Sequence, residues 1–526
     1  MLKRTAAIFL ILLIAMLPVF ALASSVPVSN CTELSNAIAA AKGASTADNP
    51  TVITLASSFE FDLTNAITVE GYVVIDGQGQ YTLTRSSSYT GTFFKVASSS
   101  SLTLQNVTID GNNNWTFDED KYQADLAAMQ SVPEANNTYV QPQSGAPMAT
   151  AYMITSTGGT ILLDNVAIKN NCSTSSGIIS AGAGTSVTLN QTTITHCANT
   201  TGNGLVVNAS GAGIKVVMYD GTIIDGNFVG SNHGVFKIYS GAEFTMNGGE
   251  IKNTKGWNSN GVVVGLYGDS SASSPSFILN GGTITGNSST YGTSNGRNAA
   301  IYLHSNSIME MNGGEIINNT GRARGGIDSS RDTSKLSITD GKVMNNVSIA
   351  GNSTCDVGGT TAGFSFSGGT FSQNVSKYAA EGYVCFQTDD TTWKIIPASM
   401  IYKINYELNG GQMNDYPEQF AVGYPFSIPD PTKDGSTFLG WTGSVGSDPV
   451  KSITFVNPTA GDITLIANWQ ENTVATPPVT STGLPATTTP NVPKTGDGTP
   501  LLALYAMIAI SLAVLGLTVY RKRKVR

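Results

Sequence analysis

Charge is scarce in this chain. Asp, Glu, Lys and Arg together make up 12% of its 526 residues, and there are only three histidines and five cysteines. The few charges sum to −8, so the basic footprint that a nucleic-acid partner requires is missing. No C-x-x-C pair occurs, which removes the zinc ribbon, and neither a metal nor a cofactor is expected. Amphipathic helical periodicity of useful length is confined to Asn30–Lys42. What is plentiful is small: 57 glycines and many Ser, Thr and Asn, with apolar residues at 40%. Disorder would not carry that much apolar content, whereas an all-β chain with many tight turns would.

The apolar residues recur in a phrase of alternating apolar and polar positions followed by a small-residue turn. It reads SLTLQNVTIDGN at Ser101–Asn112 and TILLDNVAIKNN at Thr160–Asn171, then SVTLNQTTITHC, EFTMNGGEIKNT, SFILNGGTITGN and IMEMNGGEIINN. Its anchors are Ile168, Ile194, Ile223, Ile251, Ile284, Ile316, Val343 and Phe371, spaced 26 to 33 residues apart. Alternation at period two is a half-buried strand, and self-similarity at about 29 residues is the signature of a solenoid. A second phrase lies between anchors, as in GVFKI, GVVVGL, AAIYL and GYVCF. Each period should therefore hold two or three short strands. Stacked rungs about 4.8 Å apart would give a rod of roughly 50 Å from residues 50–397. Asn112, Asn171, Asn287, Asn319, Asn346 and Asn374 would form a ladder along it.

This region resembles the pectate-lyase-like superfamily, which implies a right-handed parallel β-helix. The resemblance extends to residues 24–49, where Asn30–Lys42 looks like the helix that caps the open end of such a core. Asn30 is placed to cap it, with Glu33 three residues on, and Leu34, Ile38 and Ala41 share one face. On this frame Cys172 and Cys197 fall one rung apart, as do Cys355 and Cys385, within disulfide reach. Buried free thiols are the alternative, and the preferred one, because small stacked residues pack there cheaply. An insertion at 113–150 interrupts the period and carries Trp115, Phe117, Tyr122 and Tyr139 with Asp118, Glu119, Asp120 and Asp125. It is either a binding excursion or a degenerate coil with a loop.

After Pro397 the pattern changes. Residues 401–471 carry LNGG at Leu408–Gly411, FLGW at Phe438–Trp441 and a closing ANW at Ala467–Trp469. They resemble the Listeria–Bacteroides repeat, which implies a small β-grasp-like module for spacing or display. Trp441 and Trp469 are expected in its core, since so small a module needs large side chains to close. Residues 472–491 are rich in Thr and Pro and read as an extended, disordered stalk.

The two ends read as processing signals. Lys3 and Arg4 precede an apolar run, and Ala21 and Ala23 frame an A-x-A site, so 1–23 is expected to be a signal peptide. Residues 492–526 contain VPKTG (Val492, Pro493, Lys494, Thr495, Gly496), an apolar span at 501–520 and the basic tail 521–526. Twenty apolar residues match a hydrocarbon core of about 30 Å, and the tail would stop export. The pentapeptide resembles the LPXTG signal of Gram-positive surface proteins, with Val492 in place of Leu. That resemblance implies a transmembrane sorting helix, cleavage after Thr495 by a sortase and covalent attachment to peptidoglycan, with membrane contact only before sorting. The expected location is the cell wall.

No motif compels catalysis, and no catalytic residue is assigned. Asp164, Asp220, Asp225, Glu250, Glu310, Glu315, Asp328 and Asp340 mostly sit at turns, where a carboxylate beside Gly is more often a turn residue. His233 falls in N-H-G, a poor likeness to polygalacturonases, because their N-T-D and R-I-K are missing. Candidate ligand contacts are Trp115 and Tyr122 in the insertion and Arg322, Arg324, Asp328 and Arg331; for these last four a solvated, turn-rich edge is the alternative and the preferred reading. The leading expectation is a non-catalytic adhesin for an unknown glycan or protein ligand. The rival is a wall-anchored polysaccharide lyase or glycoside hydrolase.

Overall fold

The computed structural model describes residues 25–473 except 129–147, 201, 231–233, 257–260, 270–272, 290–298, 323, 330–332, 350, 352 and 360–361. The repeat region is a parallel β-solenoid of about 11 turns. One coil runs Thr160–Asp164, Ala167–Lys169, Cys172–Ser173 and Ile179–Gly182 before Ser186–Asn190 stacks on its start. The early coils hold three strands, as in Thr51–Leu55, Phe59–Phe61 and Ile67–Val69, and from Cys172–Ser173 onward a fourth is added, so that the strands line up into sheets of 12, 13, 8 and 10. The strand missing from the sequence reading is the one typified by Cys172–Ser173. Two residues are too few to display a period.

Alternation in each strand decides what points inward. In Ser101–Gln105 only Leu102 and Leu104 are buried, and the same pattern recurs one rung up in Thr160–Asp164. Register keeps like on like: Leu102, Ile161, Val187, Val216, Phe244, Phe277, Met309 and Leu336 form one interior column. Phe236, Phe244 and Phe277 stack within the core with centroids 4.2 and 5.0 Å apart. A slip of one residue would turn each strand inside out, so the register is strongly specified. The anchor column itself runs through Ile224, not Ile223, which faces outward.

The asparagine ladder is real but displaced by one residue at one end. Two neighbouring positions share the work. Asn112, Asn170, His196, Asn253, Asn318 and Asn345 take the left-handed conformation, with φ of 50–56°. The following position forms the buried rungs, through Asn171, Asn227, Asn287, Asn319 and Asn346. The Asn287 amide N–H and Nδ2 both donate to Asn319 Oδ1, and Asn319 donates likewise to Asn346 Oδ1. Asn112 thus belongs to the turn column. Asn374 gives way to Asp356, whose buried carboxylate accepts from Asn346 and from the Ser372 amide at 2.7 Å. Burial pushes the Asp356 carboxyl above the usual range.

Both ends of the solenoid are closed. The helix Cys31–Ala40 lays Leu34 and Ile38, with Ala41 just beyond it, on the first rungs. Its cap is reciprocal: Glu33 N–H donates to Asn30 Oδ1, and Glu33 Oε2 accepts from Ser29 N–H. At the other end Tyr383–Asp389 and Thr392–Pro397 form an antiparallel hairpin that pairs with Thr370–Phe371. GYVCF is therefore not a further coil, and Cys385 lies opposite Ile395 rather than over Cys355. Cys172 pairs in register with Ala198, so Cys197 is one residue out and faces the opposite side. All five cysteines are free thiols, and burial raises those of Cys31 and Cys197, to about 11 and about 12.

Residues 401–471 fold around a five-stranded mixed sheet whose central strand, Ile463–Glu471, runs parallel to Ile401–Glu407. Trp441 is fully buried there, and Trp469 packs on that core while its indole N–H donates to the Leu408 carbonyl at 2.9 Å.

Candidate functional site

The insertion does not project as a loop over residues 113–128. It runs along the face built from the two-residue strands, advancing one rung at a time. Ala198, Phe228, Lys255 and Ser288 are register neighbours on that face. Trp115 stacks on His196, Phe117 packs on Phe228, Glu119 pairs with Lys255, and Tyr122 Oη lies 2.8 Å from Ser288 Oγ. The helix Glu119–Ala128 completes the strap. Trp115 and Tyr122 are 4% and 2% exposed, so the expected ligand contacts serve as staples instead. Aromatic spacing along the insertion was visible in the sequence; the surface it fits was not.

The sheet containing Ile179–Gly182 presents a different surface. Its outward column reads Asn208, Lys237, Gly265, Tyr302, Asp328 and Gly358. Tyr239 and Tyr267 are register neighbours one pleat further along the strands. Tyr267, Tyr302 and His304 cluster with centroids 5.9 to 6.1 Å apart. Asp269 accepts hydrogen bonds from Tyr239 Oη and from Ser240 Oγ, the latter at 2.8 Å. The Tyr239 hydroxyl, then Ser240, hold its carboxyl below the usual carboxylate range. Lys237 Nζ lies 5.8 Å from the Tyr239 ring and 3.4 Å from Asn203 Oδ1, and partial burial lowers its ammonium pKa.

Arg324 and Asp328 extend this surface by one rung. Arg324 Nε donates to Asp328 Oδ1 at 2.8 Å, and Asp328 is almost fully buried. The guanidinium lies over Gly358, where an added Cβ would come within 1.9 Å of Nη1. Two of the expected basic-cluster residues thus join a tyrosine-lined face. Arg322 sits apart, at the end of the short strand Thr320–Gly321. Arg331, His233, Ala21, Ala23, the VPKTG residues, the 501–520 span and the tail lie outside the described residues. Among the described residues no helix is long and apolar enough to cross a membrane, and no group of His, Cys, Asp or Glu could hold a metal.

The sequence reading missed Lys237, Tyr239, Tyr267, Asp269, Tyr302 and His304. Their signal was the second phrase: K-x-Y, G-x-Y and Y-x-H occupy equivalent outward positions in FKIY, VGLY and IYLH. A separate polar cleft of about 590 Å3 lies between the loops at 62–66 and 88–92, with Asp62, Asn65, Tyr89 and Lys95 in its walls.

Apart from Glu310, which is exposed on its strand, the carboxylates weighed for catalysis are engaged within the fold. Asp164 accepts from Asn190, Asp225 from Asn253, Asp220 from Gly249 N–H and Asp340 from Gly341 N–H. Glu250 and Glu315 pair with Lys252 and Lys342. These are turn and ladder roles.

Residues 402–468 match the family model of the Listeria-Bacteroides repeat domain. No curated protein and no solved structure matches the chain.

Proposed function

We propose that this chain is an exported, wall-anchored surface protein whose solenoid binds a ligand without turning it over. The observation that carries the binding half is a division of labour on the solenoid. Its turn carboxylates are taken up by hydrogen bonds and ion pairs within the fold, while one outward face gathers tyrosines with Lys237, Asp269 and the Arg324–Asp328 pair. A glycan hydrolase needs two carboxylates facing each other across a groove. A display surface needs rigid, regularly spaced side chains, which stacked rungs supply.

The anchoring half rests on the order of segments in the sequence. The repeat domain is followed by a Thr/Pro-rich stretch, VPKTG, an apolar span and a basic end. In this reading a sortase cleaves after Thr495 and transfers the chain to peptidoglycan. Replacing Thr495 with Ala should then move the protein from the wall fraction to the membrane fraction; unchanged wall attachment would sink the assignment. Release of reducing ends or unsaturated products from a polysaccharide panel would overturn the non-catalytic reading.

A further inference from the structure

We infer that the surface centred on Tyr267 is a subsite for an uncharged saccharide, an inference that rests on the ligand-binding reading above. Gly265 and Tyr267 are two residues apart on one strand and point the same way. The tyrosine folds back along its own strand, so that its ring edge and hydroxyl lie over the position a side chain at 265 would take. A Cβ there would sit 2.6 Å from Tyr267 Cε2 and 2.8 Å from its Oη. Glycine at 265 is thus what lets the ring lie along the sheet.

Around it the rungs supply the rest of a sugar site. On one side are Tyr239 and Lys237, in register with Tyr267 and Gly265; on the other the His304 ring lies 6.1 Å from that of Tyr267, and Tyr302, which packs against both, is fully buried and serves as their support. A pyranose offers an apolar face of C–H groups and a rim of hydroxyls. The face suits an aromatic ring, and the rim needs donors and acceptors set beside it. Asp269, exposed and already oriented by Tyr239 and Ser240, is an acceptor; Lys237 Nζ is a donor.

The charges decide the class of ligand. Among the described residues of this face Lys237 and Asp269 carry opposite signs and Arg324 is paired with Asp328, so neither sign is in excess among them to attract a phosphate or a uronate. A large apolar anchor for a protein partner is also missing from the column, whose outward members are Asn, Lys, Gly, Tyr and Asp.

The test is calorimetric titration of the full chain, held in mild detergent, with cello-, xylo-, manno- and chitohexaose and with oligogalacturonate. One of the uncharged hexasaccharides should bind. Tyr267→Ala should weaken it by about tenfold or more, and Tyr267→Phe by about threefold at most. Gly265→Val should weaken it comparably to Tyr267→Ala by lifting an intact tyrosine off the sheet. Tyr219→Ala, an exposed tyrosine elsewhere, is the control, and thermal melts of every variant establish that the fold is kept. Binding that survives both Tyr267→Ala and Gly265→Val would overturn the subsite while leaving a ligand-binding solenoid standing. No binding of any uncharged hexasaccharide, or preference for oligogalacturonate, would overturn the saccharide assignment. Product release with Tyr267-dependent binding would support the subsite and overturn only the non-catalytic reading.

Discussion

Trp115 lies flat on His196, with ring centroids 4.4 Å apart and planes 12° from parallel, and its indole N–H donates to the His196 carbonyl at 2.8 Å. His196 can offer its ring because it occupies the left-handed turn position otherwise held mostly by asparagine, at φ 50°. Its Nδ1 lies 2.9 Å from Asn170 Oδ1 in the turn one rung below. One contact thus joins the turn column of the solenoid to the strap that crosses it.

Trp115→Ala should release that strap. Truncating a buried tryptophan typically costs about 3–5 kcal/mol. Here the loss should appear as local opening, because Trp115 clusters with Cys172, Ala198 and Phe228 outside the main core. Hydrogen exchange at residues 113–128 should accelerate while the main melting transition stays put. Unchanged protection would contradict the stapling role.

The same contact should respond to pH. Burial beneath the indole lowers the His196 pKa below 6.5. A depressed imidazole pKa means the unfolded chain binds the proton more readily. The stabilisation is therefore complete above about 6.5 and is lost as pH falls through the folded-state value. Ring-proton NMR should place the His196 midpoint below 6.5, and Trp115→Ala should raise it. A midpoint at or above 6.5 in the intact chain would refute the burial argument.

The two asparagine columns should behave differently. Asn319→Ala removes the acceptor for Asn287 and the donor to the Ile284 carbonyl, all buried, and should cost about 1–3 kcal/mol. Asn318→Gly, one residue earlier, keeps the left-handed turn and should cost no more than about 1 kcal/mol. Thermal unfolding of the pair decides the matter, and equal losses would mean the roles are not divided as described.

Gly358→Val should evict the Arg324 guanidinium and break its contact with the buried Asp328. Hydrogen bonds to charged groups contribute about 1.5–3 kcal/mol, and the partial exposure of Arg324 puts this pair at the lower end. Arg324→Ala should cost a similar amount, and the double variant little more than either alone, since both break one contact. Additive losses in a denaturation cycle would show that Gly358 and Arg324 act independently.

Much of the architecture was legible along the chain. Leu102 and Leu104, or Phe244 and Met246, announce their burial by alternation within a single strand. The helix Cys31–Ala40 announces its start through Asn30 and Glu33. The candidate site was less legible. Arg324 and Asp328 stood out because they fall in one short stretch of clustered acids and bases, but Lys237, Tyr267 and Tyr302 carried no local mark beyond their place in a repeated phrase.

The sequence by itself determined the repeat, the period-two strands, the N-terminal cap and the change of module after Pro397, because each depends on residues close together in the chain. Tertiary structure decided which residue lies over which. Cys172 meets Ala198 instead of Cys197, Asp356 replaces Asn374 on the ladder, and the strap finds His196, Phe228, Lys255 and Ser288. Those neighbours depend on turn and loop lengths accumulated over whole coils. A one-residue difference in any of them moves a side chain to the opposite face, and no local pattern records that sum.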